Sequence, residues 1–274
     1  MLTDELRIAK GLAREAGRII LAHYERGFAV EYKRGDKGDP VTAADKEANE
    51  LIVRGLARAF PDDAILAEES PRSVARHERR RLWCVDPLDG TQELIARNGQ
   101  FVVMIGLAVD GDARAGVVYQ PTTDVLWWGA GDEAFREEHR RLTPLTPSRQ
   151  GDPRAAVMMV SRSHRSSSVS RVAEALGVVR EEPLGSVGLK VTRLAEGAAD
   201  IYLSVSTSTH EWDACAPEAI LRAAGGLMTD TRGEPLRYNK PETNTPFGLL
   251  ATNGPLHAAC VEAVRPVIRE RGWV

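Results

Sequence analysis

The stretch "WCVDPLDGTQELI", residues 83–95, decides how this chain is read. The apolar run Trp83, Cys84 and Val85 has the character of a strand. It ends in Asp86 and Asp89, three apart around a proline, and Gly90 and Thr91 then open a helix. A strand tip that leaves its sheet through Asp-Pro-Leu-Asp-Gly brings two carboxylates and one main-chain carbonyl, that of Leu88, to one point. Hard divalent cations take this oxygen set, and Mg²⁺ in particular is held by a few carboxylates together with water and substrate phosphate. The amides of Gly90 and Thr91, at the positive end of the helix dipole, suit a phosphate. Metal and phosphate are therefore expected to meet at Asp89, Gly90 and Thr91. The competing pattern, the strand end Asp-x-Asp-Gly-Thr of aspartyl-phosphate phosphatases, sets its acids two apart. The spacing of three with an internal proline leaves no nucleophile here, so a metal-activated water is the more natural attacker.

Three more segments, to either side, put acids beside turn residues: "DPVTAAD" (39–45), "LAEES" (66–70) and "EWDACAPEAIL" (211–221). Each has a structural explanation. Thr42 and Asp45 fit a capping box, Asp213 precedes a helical run that closes at Gly225-Gly226, and Glu68 and Glu69 suit a solvated loop.

Apolar spacing at Leu6, Ala9, Ala13, Ala16 and Ile20 predicts a helix over residues 3–25, and a second is expected from Thr42 to Phe60. Residues 101–131 read as an antiparallel meander broken by Asp-Gly and Pro-Thr-Thr-Asp. The charged, three-proline stretch 136–153 reads as a connection between an N-terminal α+β lobe (1–145) and a C-terminal α/β lobe (146–274). In the second lobe short strands alternate with helices near 166–176, 188–197, 213–224 and 255–271. The basic run "PRSVARHERRR" (71–81) reads as a solvated, mobile loop.

Composition narrows the class further. A net charge of -3 gives no basic field for a nucleic-acid polymer, and no apolar run approaches bilayer length, so no membrane partner is expected. Three cysteines make no disulfide framework and the N-terminus lacks a signal-peptide layout, which points to the cytoplasm. A monomer or homodimer acting on a small phosphorylated substrate is the expectation.

Taken together, the four acidic segments resemble the lithium-sensitive, Mg²⁺-dependent phosphatases of the inositol monophosphatase superfamily, whose patterns are D-x-VT-x-x-D, a Glu-Glu-Ser/Thr loop, DP-[IL]-DGT and WD-x-[AC]-A. The resemblance implies a layered α-β-α-β-α sandwich and two or three Mg²⁺ ions. It makes Glu68, Asp86, Asp89 and Asp213 metal ligands, with the Leu88 carbonyl as a further one, and Thr91 and Asp45 the pair that orients the attacking water, so that Asp45, Glu68 and Thr91 are the catalytic set.

Within the superfamily, "DPLDGTQELI", "SRSH" (161–164), "GSVGLKVTRLAEGAADIYL" (185–203) and "YNK" (238–240) look most like the 3'(2'),5'-bisphosphate nucleotidase branch. That implies substrate contacts from Gly90, Thr91, His164, Ser186 and Lys190, the last as a cation for a second phosphate. The branch often has two serines before the leucine-lysine pair, where this chain has Val187 and Gly188. Inositol phosphates, fructose 1,6-bisphosphate and a non-catalytic ligand sensor are the alternatives, the sensor being disfavoured because both Asp45 and Thr91 are present.

Overall fold

The computed structural model describes residues 2–27, 29–32, 40–163 and 166–273. His164 therefore lies outside the described residues. Two long helices come first, α1 (Thr3–Arg26) and α2 (Ala43–Ala59), with a short ribbon of β1 (Val30–Tyr32) and β2 (Pro40–Thr42) between them. α1 buries Ala9, Ala13, Ala16 and Ile20, the stripe set by its three-to-four spacing, and stops at Gly27.

A seven-stranded sheet follows, with strand order equal to chain order: β3 (Ala64–Ala67), β4 (Arg81–Asp89), β5 (Val102–Val109), β6 (Asp112–Gln120), β7 (Val125–Ala130), β8 (Glu133–Glu138) and β9 (Arg141–Pro144). Its central strands are apolar on both faces. In β4, Leu82 and Cys84 join one cluster with the helix at Glu211–Ala224 while Trp83 and Val85 join another with α1 and α2, the period-2 division of a sheet covered on both sides. One-turn helix α3 (Thr91–Ile95) follows β4.

The second sheet is mixed, with order β11 (Arg180–Leu184), β10 (Val157–Ser161), β12 (Ile201–Ser204), β14 (Leu249–Thr252), β13 (Leu227–Thr229). Helices α5 (Val187–Ala195) and α6 (Glu211–Ala224) fill the space between the sheets, and α4 (Ser167–Leu176) and α7 (His257–Glu270) cover the far side. The layers thus run α1/α2, sheet, α5/α6, sheet, α4/α7: the expected α-β-α-β-α sandwich.

α6 lies unusually close to the large sheet because three laterally paired glycines, Gly106, Gly116 and Gly129, pave its track. A methyl group at Gly116 would sit 2.1 Å from the Ala216 carbonyl oxygen and one at Gly106 2.7 Å from the Ala216 nitrogen, so any side chain there would lift the helix off the sheet. This packing fixes where the N-terminus of α6 points.

Two expectations are corrected, the second at a single residue. Residues 136–144 are not connection but the hairpin of β8 and β9, in which Phe135 pairs Pro144; an edge strand tolerates proline because its outer side needs no ladder donor. Residues 145–156 link the sheets, with a 3₁₀ turn at Pro153–Ala155. Residues 71–80 are exposed, as expected of a solvated loop, at every position but one: Arg76 is buried in a 3₁₀ turn at Val74–Glu78 and bonded to residues 239–241. Strand β11, "REEPL", went unforeseen because it is polar and holds a proline, as an edge strand can.

Candidate active site

The β4–β5 ladder breaks between Asp86 and Asp89: Asp86 stands opposite Met104 and Asp89 opposite Val102, so three steps on one strand face two on the other. Pro87 can donate no ladder bond there, and the resulting bulge turns the strand end out of the sheet. The Asp86 carboxylate accepts the Leu88 N–H at 2.9 Å, which holds the turn. Gly90 follows at φ +104°, where a Cβ would press 2.9 Å against the Gln100 carbonyl, so glycine alone fits. The helix it opens is a single turn, so the macrodipole expected there is short and the local amides carry the donor character.

The other acids reach the same place from different elements. Glu68 follows β3, its N–H bonded to the Val85 carbonyl at 3.1 Å, which pins the acid loop beside the end of β4. Asp213 is the third residue of α6 and accepts the His210 N–H at 2.5 Å. Asp45 is the third residue of α2 and accepts both the Thr42 N–H at 2.8 Å and the Thr42 hydroxyl at 2.5 Å. Thr91 Oγ1 lies 3.2 Å from Asp45 Oδ1 and 3.3 Å from the Leu88 carbonyl. Glu68, Asp86, Leu88, Asp89, Gly90, Thr91, Ser186, Lys190 and Asp213 line one cavity of about 600 Å³. The structure therefore brings together every described residue that sequence placed in the site; Asp45 stands just behind Thr91.

The electrostatics are those of crowded, desolvated acids. Asp86 and Asp213 are pushed well above the usual carboxylate range, first by burial and then by one another's acidic neighbours, Glu68 and Asp89. Asp89 is raised by burial but relieved by Lys190, by the Ser186 hydroxyl at 2.5 Å and by the Gly188 N–H at 2.8 Å. Burial lowers the Lys190 ammonium to about 8 against the pull of Asp89, Glu93 and Asp213. One lysine among this many acids leaves a local excess of negative charge, which a hard divalent cation would offset. Among the described residues no three acidic, histidine or cysteine side chains stand close enough together to hold an ion as they are. The donor set is all oxygen, which fits Mg²⁺ rather than a softer ion.

Sequence reading named Ser186 and Lys190 without their partners, and it missed Glu93 and the hydroxyls at 204–208. Ser186, expected to touch substrate, caps α5 and holds Asp89 at φ +61°, a strained backbone for a serine. At Gly188, where the resemblance suggests a serine, a Cβ would meet the Met104 sulfur at 2.7 Å. Lys190 is 3% exposed, with Nζ over the Tyr202 ring at 5.2 Å, rather than extended from a helix surface. Glu93, buried beside the pocket, accepts the Ser163 hydroxyl at 3.0 Å and binds Asn98. Ser204, Ser206, Thr207 and Ser208 add a hydroxyl wall. The repeated hydroxyls of "SVSTST" were the available signal for that wall; Glu93 had none beyond its place after "DGT".

A scaffold of this layering, aiming acids from the large sheet and from the helix packed between the sheets, with a left-handed glycine, at one pocket, is that of a phosphate ester hydrolase. Residues 1–269 match the inositol monophosphatase family, and the chain belongs to it. Over 233 residues it is 37% identical to the 3'(2'),5'-bisphosphate nucleotidase CysQ of Salmonella typhimurium, covering 85% of this chain and 93% of that one. Among solved structures, the inositol monophosphatase of Anabaena superposes with a TM-score of 0.80 at 28% identity, over 97% of this chain and 96% of that chain. CysQ of Bacteroides thetaiotaomicron superposes with a TM-score of 0.75 at 31% identity, over 91% and 97%. The chain is a phosphatase. No described helix is long and apolar enough to cross a membrane.

Proposed function

We propose that this phosphatase is a Mg²⁺-dependent 3'(2'),5'-bisphosphate nucleotidase that converts adenosine 3',5'-bisphosphate to AMP and phosphate in the cytoplasm, with residues 1–145 and 146–274 as its two lobes. The observation that carries the reading is the convergence of Glu68, Asp86, Asp89 and Asp213 with Thr91 and Asp45 in one pocket, joined to 37% identity with a nucleotidase of that specificity.

Glu68, Asp86, Asp89, Asp213 and the Leu88 carbonyl would hold two or three Mg²⁺ ions. When bound, Mg²⁺ supplies Lewis acidity, lowering the pKa of water and offsetting charge on the attacking and leaving oxygens. The protein's own part is positional. Thr91 Oγ1, with Leu88 O and Asp45 Oδ1 both within hydrogen-bond distance, orients the water and passes its proton toward the Asp45 carboxylate. The Gly90 and Thr91 amides face the non-bridging oxygens, where phosphoryl transfer gains most from fixed donors. The water oxygen bonds to phosphorus as the ester P–O bond breaks, and the leaving oxygen takes up a proton. Lys190 and the residue at 164 are assigned to the second phosphate and nucleoside.

The hydroxyl wall at 204–208 also suits a polyol, which makes inositol 1-phosphate the second reading. Phosphate release from adenosine 3',5'-bisphosphate, inositol 1-phosphate and fructose 1,6-bisphosphate, compared as kcat/KM at one Mg²⁺ concentration and again with EDTA, decides between them. The bisphosphate is expected to lead by tenfold or more and all activity to vanish with EDTA. A preference for inositol 1-phosphate overturns the nucleotidase assignment.

A further inference from the structure

Arg76 takes no part in the chemistry, yet it is the one arginine among the described residues that is buried, at 5% exposure. A guanidinium withdrawn from water must have its donors met. Here they meet an amide and two main-chain carbonyls: Nη1 donates to Asn239 Oδ1 at 2.9 Å, and Nη2 donates to the Lys240 carbonyl at 2.6 Å and to the Pro241 carbonyl at 3.2 Å. Asn239 answers from its own side chain, Nδ2 donating to the Arg76 carbonyl at 3.0 Å and to the Arg79 carbonyl at 3.2 Å. It does so from φ +67°, a left-handed position that asparagine tolerates better than most residues.

The far end of this contact runs to the start of α6, the helix that carries Asp213. Asn239 and Lys240 give their N–H groups to the two oxygens of Glu211 at 2.7 and 3.0 Å, and Lys240 Nζ closes on the same carboxylate at 2.7 Å. Glu211 is fully buried and is the first residue of α6, two before Asp213. The near end runs back to Glu68: the 3₁₀ turn holding Arg76 follows the "EES" loop, whose Ser70 hydroxyl accepts from Asn49 at 2.9 Å. Arg72, on the same segment, lies over the Trp212 ring at 5.4 Å, beside Asp213. These bonds join the 3₁₀ turn at Arg76, eight residues beyond Glu68, to the helix start that carries Asp213, the Arg76–Asn239 pair spanning 163 residues of sequence.

We infer that Arg76, Asn239 and Glu211 form a latch that sets Glu68 against Asp213, and that Arg76 and Asn239 are positioning residues for the acid cluster. The inference rests on reading that cluster as the Mg²⁺ site. A latch of this kind limits how far the chain that follows Glu68 can move from the start of α6, while the Glu68 N–H itself stays bonded to the Val85 carbonyl at 3.1 Å. Partners that orient metal ligands typically change metal affinity by about 10–100-fold when removed.

The test uses Mg²⁺ alone, titrated into the full-length protein by isothermal calorimetry, beside the Mg²⁺ dependence of phosphate release from adenosine 3',5'-bisphosphate. Arg76→Gln and Asn239→Gly are compared with the parent, the glycine being chosen because it keeps the positive φ while deleting the amide. Each is expected to weaken Mg²⁺ binding about tenfold, with kcat at saturating Mg²⁺ within about threefold of the parent. The double variant should weaken binding more than either single, because each single leaves part of the contact in place: the Arg76 bonds to the 240 and 241 carbonyls in one, the Asn239 bonds to the 76 and 79 carbonyls in the other. Val264→Ala, in the core under α7, serves as a control that lowers Tm without touching the latch. Should Arg76→Gln fail to fold, Asn239→Gly carries the test. Latch variants that lose only Tm, as the control does, and keep parental Mg²⁺ affinity overturn the latch alone. A parent that binds no Mg²⁺ overturns the reading of the cluster, and the latch with it.

Discussion

At the start of α2, the Asp45 carboxylate accepts the Thr42 N–H and hydroxyl and lies 3.2 Å from the Thr91 hydroxyl. At the start of α6, the Asp213 carboxylate accepts the His210 N–H and is otherwise faced by Glu68 and Asp89, with Asp86 hydrogen-bonded to it. Both are third residues of a helix closing a capping box, and burial raises both. Their company differs. Hydroxyl donors satisfy Asp45 as it stands, so it can fix a water or take its proton; acids surround Asp213, so its charge calls for a cation. A helix cap and a catalytic group are thus one residue in each case, and the neighbours decide which chemistry the cap can do.

The sharpest way to break this comparison is Asp213→Asn. The amide oxygen can still accept the His210 N–H, so the helix start survives while the charge goes. Losing one anionic ligand should lower kcat/KM on the order of 10³-fold or more, the equivalent of about 4 kcal/mol of transition-state stabilisation. Tm without metal should hold or rise, because repulsion within the cluster is relieved. Steady-state kinetics at saturating Mg²⁺ with a thermal melt reads both, and activity within tenfold of the parent would remove Asp213 from the metal site.

Thr91→Ala probes the other side. Removing the hydroxyl between Asp45 and the water should lower kcat by about 10²–10³-fold, in the range of positioned proton transfer, with KM for adenosine 3',5'-bisphosphate within about threefold. A change confined to KM would make Thr91 a binding residue and leave Asp45 a cap only.

A third buried carboxylate, Glu218, lies further along α6, and Tyr238 donates to it as the hydroxyls donate to Asp45. Arg222, 3.7 Å away, and more distant Asp112 and Arg237 also face it. Burial pushes its carboxyl up to about 7. Folded Glu218 therefore keeps its proton in a window, from about 4.5 to about 7, where the unfolded chain has lost its own. Unfolding free energy falls as pH rises through that window, by at most about 3 kcal/mol at roughly 1.4 kcal/mol per unit. Glu218→Gln should flatten this slope and make the variant more stable than the parent at pH 8, read as urea midpoints at pH 5 and 8. An unchanged slope would show that Tyr238 and Arg222 already keep the carboxylate charged.

Much of this was legible before any coordinates. The four acidic segments sit where the chain turns, and turn and cap residues announce themselves locally, so Asp45, Asp86, Asp89 and Asp213 could be named from short windows. The helical stripe of α1 and the meander of β5 to β7 are likewise local patterns. What sequence hid is what depends on distant partners. The run "PRSVARHERRR" looks solvated because nothing in it shows that Arg76 meets Asn239, and Ser186 looks like a substrate hydroxyl because its bond to Asp89 spans 97 positions. The glycines under α6 are scattered singly through three strands and become a track only when the sheet is assembled.

The finest test separates cap from catalyst within α2 itself. Thr42→Ala removes one donor to Asp45 and the side chain that caps the helix, while the Thr42 N–H and the Thr91 hydroxyl remain to hold the carboxylate. Its cost should be that of an N-cap, about 1 kcal/mol of stability, with kcat lowered no more than about threefold. Asp45→Asn keeps an oxygen for the Thr42 N–H, so as a cap it should cost no more than Thr42→Ala. As a proton acceptor it should fail, and kcat should fall about 10²-fold or more. The two variants thus share a stability loss and part company in kcat. Urea denaturation beside turnover at saturating substrate measures both axes. If Asp45→Asn loses no more kcat than Thr42→Ala, the carboxylate at the start of α2 is a cap and nothing else, and the proton of the attacking water must leave by another route.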